Sequence, residues 1–229
     1  MNQHGTGSPQ GFWGLLTDAD QAGLMDLGRI SVFPPGATMC VEGDPATHLF
    51  ILVEGWVKVL SVTREGQQLV LALRGHGDLI GEFAGETTGY RTATVRAIGT
   101  VRSLIVGYEK FNSFLDTRPG ASHAYRHAVT QRWNDAATSL RSRSVTTGAQ
   151  RLAGLLINLA ERHGQPANGA IHVAMPLSQE DLASLAGTSR ATVTRALANW
   201  RARGFIRTGQ RRTIITDLAG LRQVAGDRT

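Results

Sequence analysis

From Ala121 to Ser144 the chain contains neither proline nor glycine, although the whole sequence holds 27 glycines and 7 prolines in 229 residues. Tyr125, Val129, Trp133, Ala136 and Leu140 recur along this stretch every three or four residues, the spacing of one face of an α-helix. So long an uninterrupted run predicts a single helix that a small neighbouring domain cannot cover over its whole length. The helix therefore separates an N-terminal from a C-terminal portion of the chain, and its apolar stripe has two readings. Two copies of the chain can pack along Tyr125, Val129, Trp133, Ala136 and Leu140 as a dimer interface. Alternatively, the stripe packs wholly on the domain that precedes it.

That preceding domain has the texture of β-structure. After a short capped helix at Thr17 to Leu27, glycines and prolines punctuate β-branched runs from Arg29 to about Val106. They include Ile30 to Phe33, Thr38 to Val41, Leu49 to Val53, Trp56 to Val62, Gln68 to Leu73, Thr94 to Ala97 and Val101 to Val106. Strands of this length at this spacing predict a small roll or barrel. The expected organisation is a disordered tip at residues 1–12, a β-roll domain at 13–120 and the long helix at 121–144. A hinge at 145–148 and a second domain at 149–229 complete it. The fold class is α+β.

In the second domain, Ala149 to Arg162 reads as a helix, His163 to Asn168 as a loop and Ile171 to Ala174 as a strand. Ser178 to Ile206 then reads as two short helices joined at Gly187. Ser178 caps the first, with Glu180 and Asp181 in its opening turn where acids suit the helix dipole. Thr188 and Ser189 are good N-cap residues for the second. On a helical projection Val193, Ala196, Leu197 and Trp200 share one arc, while Arg190, Ala191, Thr194 and Arg195 share the opposite one. Arginines in the N-terminal half of such a helix can reach guanine O6 and N7 in a DNA major groove. Small neighbours such as Ala191 and Thr194 permit close approach.

The same pattern also describes an amphipathic hairpin with solvated arginines. The segment C-terminal to the helix pair favours DNA. Phe205 to Arg207 and Thr213 to Thr216 read as two strands around a turn at Gly209-Gln210, a β-wing with Arg207, Arg211 and Arg212 near its tip, placed for phosphates. The DNA-facing set is thus Ser178, Thr188, Ser189, Arg190, Ala191, Thr192, Thr194, Arg195 and Arg211.

Net charge is +6, with a pI near 10.4, and the excess of arginine lies toward the C-terminal half, which suits a polyanionic partner. Cys40 is the only cysteine. One thiol per chain supplies no disulfide framework, no cysteine-rich zinc site and no all-cysteine iron–sulfur cluster. The first residues, MNQHGTGSPQG, lack the apolar run of a secretory signal, so a cytoplasmic protein without membrane association is expected. His123 and His127 stand four apart on the predicted helix but lack the glutamate of the H-E-x-x-H metal motif. With no P-loop and no nucleophile elbow either, neither a resident metal nor an enzyme is expected.

The densest cluster of small residues is Gly81-Glu82-Phe83-Ala84, followed by Tyr90-Arg91-Thr92-Ala93-Thr94. Backbone N–H groups at Gly81 and Ala84 can cradle phosphate oxygens, Arg91 can neutralise them, Thr92 can add a hydroxyl, and Glu82 can accept from a sugar hydroxyl. A plain hairpin with one internal Glu82–Arg91 ion pair accounts for the same residues.

With these elements in order, the chain resembles the CRP/FNR superfamily of bacterial transcription regulators, in its cyclic AMP receptor protein branch, from about Leu16 to Gly220. The resemblance is carried by G-E-F-A at Gly81 to Ala84, R-T-A-T at Arg91 to Thr94, the long helix, R-L-A-G-L-L-I-N-L-A at Arg151 to Ala160, and the winged helix-turn-helix. It implies a cyclic-nucleotide-binding β-roll of jelly-roll type, a dimerisation helix and a C-terminal DNA-binding domain. By the same resemblance Glu82 holds the ribose 2′-hydroxyl, Arg91 and Thr92 the cyclic phosphate, and Gly81 and Ala84 backbone contacts, with Phe83 between them. Arg190 and Arg195 would contact guanines and Thr192 a phosphate.

Two positions depart from the family. Its cyclic AMP sensors set a Thr-Ser pair on the long helix against the purine, where this chain has Ala136-Ala137 with Thr138 one step away. A glutamate commonly follows the first recognition arginine, where this chain has Ala191. The branches that sense through haem or an iron–sulfur cluster need ligand sets that Cys40 alone does not supply.

The implied function is a homodimeric transcription regulator controlled by a cyclic nucleotide, with cyclic AMP first in line. Its partners are double-stranded DNA with an approximately palindromic operator, a second copy of itself, and RNA polymerase through the loop His163 to Asn168. The alternatives are a ligand-independent regulator whose roll is a protein-contact scaffold, or one that senses cyclic GMP or cyclic di-GMP.

Overall fold

The computed structural model describes residues 11–63, 66, 68–83, 89–173, 177–209 and 212–226. The predicted tip at residues 1–12 lies outside these as far as residue 10. At its end the expectation is corrected: Gly11–Gly14 is a turn of helix (α1), and Phe12 within it is fully buried. Its ring meets Phe111 and Tyr125 edge-on.

Helix α2 (Asp18–Leu27) starts at Thr17, whose hydroxyl accepts from the Asp20 N–H. Eight strands come next: β1 (Arg29–Phe33), β2 (Thr38–Cys40), β3 (His48–Glu54), β4 (Val57–Val62), β5 (Gln68–Arg74), β6 (Leu79–Ile80), β7 (Thr94–Ala97) and β8 (Val101–Gly107). They form two antiparallel four-stranded sheets, ordered β1-β8-β3-β6 and β2-β7-β4-β5. This is the expected roll.

Strand β3 shows why the sequence folds this way. Its LFILV run is apolar at every position rather than alternating, which marks a strand buried on both faces. Leu49 and Ile51 point into a core shared with Phe12, Leu24 and Phe111, while Phe50 and Leu52 point between the sheets toward Val95 and Ala97. Burying each such side chain contributes roughly 1.5–3 kcal/mol.

Helix α3 (Tyr108–Thr117) leads into α4 (Pro119–Val145), which begins two residues before the expected Ala121. Proline at the first helical position costs no hydrogen bond and presets φ. The opening turns of α4 belong to the roll, for Ala121 and Ala124 are buried in its core and Ala128 packs against it. Tyr125 meets Phe111 edge-on at 5.5 Å. Tyr125, expected in the dimer stripe, is half-buried and packs against the roll's own core. Further along, Trp133 and Ala136 are exposed and Val129 is half-buried, while the side chain of Leu140 lies outside the described residues.

The chain forms two compact units that divide between Ala136 and Ala137, inside α4. The second contains α5 (Gly148–His163), β9 (Gln165–Ala167), β10 (Ala170–Val173), α6 (Gln179–Leu185), α7 (Arg190–Ala202), β11 (Ile206–Gly209), β12 (Arg212–Ile215) and α8 (Leu218–Ala225). The helical path is interrupted at Thr146-Thr147, within the expected hinge. Thr147 then caps α5 in a reciprocal box with Gln150. The segment expected as a loop from His163 to Asn168 is instead the end of α5 and strand β9, paired with β10 around a turn at Asn168-Gly169. The four strands order β11-β12-β10-β9.

Candidate functional site

In the roll, the end of β6 delivers Gly81, Glu82 and Phe83. Gly81 adopts φ +90°, a left-handed conformation that favours glycine, and a Cβ there would collide with Arg91 Nη1. The Tyr108 hydroxyl, at the start of α3, donates to the Gly81 carbonyl at 2.6 Å and pins this turn from below.

Arg91 enters from the opposite side. Its backbone is fixed by pairing with the 43–44 loop: Arg91 N–H donates to Asp44 O and Gly43 N–H to Arg91 O, each at 2.8 Å. Its guanidinium sits over the Phe50 ring, 5.2 Å from the centroid.

Both charged groups are buried, Glu82 with 4% and Arg91 with 5% of their surface exposed. They do not pair with each other in the way a plain hairpin predicts. Glu82 forms its ion pair with Arg132 of α4, which also donates to the Leu79 carbonyl. Arg91 Nη1 is buried with no hydrogen-bond partner among the described residues. A buried N–H left unpaired costs free energy, and an anion is one partner that would satisfy it. Burial pushes the Arg132 guanidinium down to about 9, Arg74 adds to this, and Asp78 and Asp135 oppose it. At neutral pH it stays charged. Burial also lowers the His48 pKa, with Arg91 and then Arg29 adding to the effect.

Thr92 is exposed beside Arg91, and Thr138 is exposed on α4. Ala84 lies outside the described residues. Arg132 and Tyr108 were missed by the reading of the sequence. For Arg132 a signal was present: Tyr125 and Arg132 are seven residues apart, so a helix that turns Tyr125 to the roll turns Arg132 there too.

In the second unit, Ser178 and Asp181 form a reciprocal capping box at the start of α6, so Ser178 acts as a cap. Ser189 caps α7, accepting from the Thr192 N–H. Thr188 lies on the inner side of the turn, its N–H donating to Ala183 O at 2.9 Å. The Thr194 hydroxyl donates to Gln179 Oε1 at 2.7 Å and ties the two helices together.

The face assigned to the core is buried: Val193, Ala196, Leu197 and Trp200 have at most 8% exposure. Arg190, Ala191 and Arg195 are exposed on the other side, and Arg190 stands 4.0 Å from Glu180 in a solvated pair. Arg201 donates to Thr208 at 3.1 Å, linking α7 to the wing. Arg207 is exposed on β11, and Arg211 at the wing tip lies outside the described residues.

One residue braces the turn between these helices. Arg151 of α5 donates through Nε to Ala186 O and through Nη2 to Gly187 O, both at 2.8 Å, and through Nη1 to Thr146 O. The interruption after α4 and the helix-turn-helix turn are thereby held by a single side chain.

A roll that buries Glu82 and Arg91 and pairs Glu82 with Arg132, joined in one chain to a winged helix-turn-helix, defines a two-unit class of DNA-binding proteins. Comparison with known proteins makes the class specific. Residues 30–118 match the cyclic nucleotide-binding domain, and residues 150–224 match the Crp-like helix-turn-helix domain. The chain is 32% identical over 185 residues to the CRP-like cAMP-activated global transcriptional regulator of Mycobacterium tuberculosis, covering 81% of this chain and 83% of that one. It is 27% identical over 219 residues to the cyclic AMP receptor protein of Thermus thermophilus, covering 96% and 97%. Among solved structures it is similar to FixK2 from Bradyrhizobium japonicum, with a TM-score of 0.77 at 18% identity over 88% of this chain and 99% of that one.

The chain belongs to the CRP family of DNA-binding transcription regulators, with a cyclic nucleotide-binding domain and a Crp-like helix-turn-helix. It is a regulator, not an enzyme. Among the described residues no helix is long and apolar enough to cross a membrane, and no group of three or more metal-ligating side chains is found.

Proposed function

We propose that the protein is a homodimeric regulator whose affinity for an approximately palindromic operator is set by a cyclic nucleotide, cyclic AMP first, bound at Glu82 and Arg91. The observation that carries this reading is the buried Arg91 Nη1, without a hydrogen-bond partner among the described residues, set against the left-handed Gly81 turn. A cyclic phosphate supplies that partner, Thr92 adds a hydroxyl, and Gly81 allows close backbone approach, with Ala84 next in the same motif. A ribose 2′-hydroxyl donates to the Glu82 carboxylate, whose other partner is Arg132.

Because Arg132 belongs to α4, the sugar and the long helix share one carboxylate. Ligand binding then biases the helix, and through the interruption at Thr146-Thr147 the recognition helices, toward a DNA-competent population. Dimerisation uses the α4 face bearing Val129, Ala136 and Leu140, with Trp133 at its edge. Arg190 and Arg195 read guanines, Thr192 and Arg211 hold phosphates, and the β9–β10 hairpin is the surface offered to RNA polymerase.

The test is calorimetry with cyclic AMP, cyclic GMP and cyclic di-GMP, joined to operator binding with and without each. Cyclic AMP is expected to bind and to tighten operator binding. If none of the three binds at millimolar concentration, the roll is not a nucleotide sensor. The protein is then a ligand-independent winged-helix regulator.

A further inference from the structure

Trp133 is 67% exposed, an unusual placement for so large an apolar surface. It is not isolated: its ring meets Phe83 edge-on, with centroids 6.2 Å apart and planes at 79°. Phe83 follows Glu82 and Trp133 follows Arg132, so the ring pair stands directly beside the buried Glu82–Arg132 ion pair. One turn further along the helix, Ala136 offers only a methyl group where a base-reading side chain would need a donor or acceptor.

We propose that Trp133, steadied by Phe83, is the base-recognition residue of this chain, and that it holds the nucleobase by stacking rather than by hydrogen bonds. The inference rests on the reading of the roll as a cyclic-nucleotide site. Every nucleobase has a π-face, so stacking supplies affinity while discriminating little between adenine and guanine. Hydrogen-bonded recognition would do the reverse, because a wrong base leaves polar groups unpaired.

The experiment is calorimetry on the full chain with cyclic AMP, cyclic GMP and base-free ribose 3′,5′-cyclic phosphate. It compares wild type, Trp133→Ala and Trp133→Phe, with sedimentation run at the same concentrations. Wild type is expected to bind cyclic AMP and cyclic GMP within about fivefold of each other. Trp133→Ala weakens both by about tenfold or more and leaves base-free binding unchanged, and Trp133→Phe recovers most of the loss.

Unchanged nucleotide affinity in Trp133→Ala, or equal loss for the base-free ligand, overturns the assignment while leaving the nucleotide site intact. So does a preference for cyclic AMP over cyclic GMP of about 100-fold that survives Trp133→Ala. Loss of affinity in step with dissociation of the dimer shows that a second copy, not a base, covers the indole. Failure of wild type to bind any of the three ligands removes the underlying reading, and the stacking proposal with it.

Discussion

Arginine does opposite work in the two units of this protein. In the roll, Arg91 and Arg132 are withdrawn from solvent, and Arg91 Nη1 has no hydrogen-bond partner among the described residues. On α7, Arg190 and Arg195 stand in water. On the proposed function, the difference follows from what each recognises. A small anion that is engulfed can be discriminated by a preorganised, desolvated cation, because the low local dielectric magnifies both satisfaction and its absence. DNA cannot be engulfed. It is read by side chains that keep their hydration and their reach until the groove replaces the water, and phosphate contacts then depend on salt.

The strongest way to break this comparison is Arg91→Met. The substitution keeps bulk over Phe50 and removes the buried charge. Cyclic-nucleotide binding is expected to fall by about 100-fold or more, since hydrogen bonds to a charged group contribute roughly 1.5–3 kcal/mol each. Ligand-free thermal stability is expected to hold or rise, because replacing a buried charge by an apolar side chain of similar volume is often stabilising by about 1–4 kcal/mol. A variant that binds normally, or that is grossly destabilised without ligand, would show Arg91 to be structural.

The exposed arginines should behave otherwise. Arg190→Ala and Arg195→Ala are expected to leave the melting temperature within about 1–2 °C of wild type. Each should cost roughly 1–3 kcal/mol of discrimination at one base pair of each half-site. Arg207→Ala, on the wing, should weaken all DNA sequences alike and lower the salt slope by about one unit. Binding to a panel of single-base operator variants at several salt concentrations separates the two classes. Uniform weakening by all three substitutions would move the reading surface off α7.

Gly148 sharpens the contrast from a third side, for it concerns packing rather than charge. A Cβ there would strike the Thr188 side chain, which stands directly against the glycine. Gly148→Ala is expected to destabilise the second unit by roughly 1–3 kcal/mol through overpacking, seen as an earlier melt of that unit by calorimetry. Nucleotide binding by the roll should be untouched. Gly148→Ala together with Thr188→Ala, which removes the hydroxyl that the new Cβ would strike, should recover part of the loss.

Much of this was legible in the sequence, and where it was not the reasons are physical. The recognition helix was legible because caps and a 3.6-residue period are local, and Val193, Ala196, Leu197 and Trp200 are buried as the projection requires. The strand at Gln165 to Ala167 was overlooked although its turn announced it. Asn168-Gly169, with φ of 51° and 73°, is the dipeptide that two-residue hairpins favour. The partner of Glu82 was the harder case. Arg91 is nearby in sequence and charge, yet Arg132 takes the carboxylate. That depends on where α4 crosses the roll, a tertiary fact signalled by the small residues Ala121, Ala124 and Ala128 and by Tyr125, seven residues before Arg132. At Tyr125 the stripe packs on the roll, and period alone does not tell a face turned inward to the roll from one turned outward.

The smallest expected effect tests whether the field of Arg91 is felt around it. His48 packs edge-on against Phe50, 4.8 Å between centroids, and that ring lies beneath the Arg91 guanidinium. Burial first, then Arg91 and Arg29, lower the His48 pKa in the folded protein. The unfolded value is near 6.5, so between the folded value and about 6.5 the unfolded chain binds more protons and stability rises with pH. In the other direction, a penalty sets in as pH falls through about 6.5 and is complete below the folded value. With His48 partly open to solvent, its size is roughly a few tenths of a kcal/mol. His48→Asn should flatten this part of the stability curve, measured by urea unfolding from pH 5 to pH 8. A bound cyclic phosphate should flatten it too, because an anion on Arg91 cancels part of the repulsion that an imidazolium would meet. A slope that survives His48→Asn would place the titrating group elsewhere. A slope that vanishes in the variant but ignores the nucleotide would place the phosphate away from Arg91.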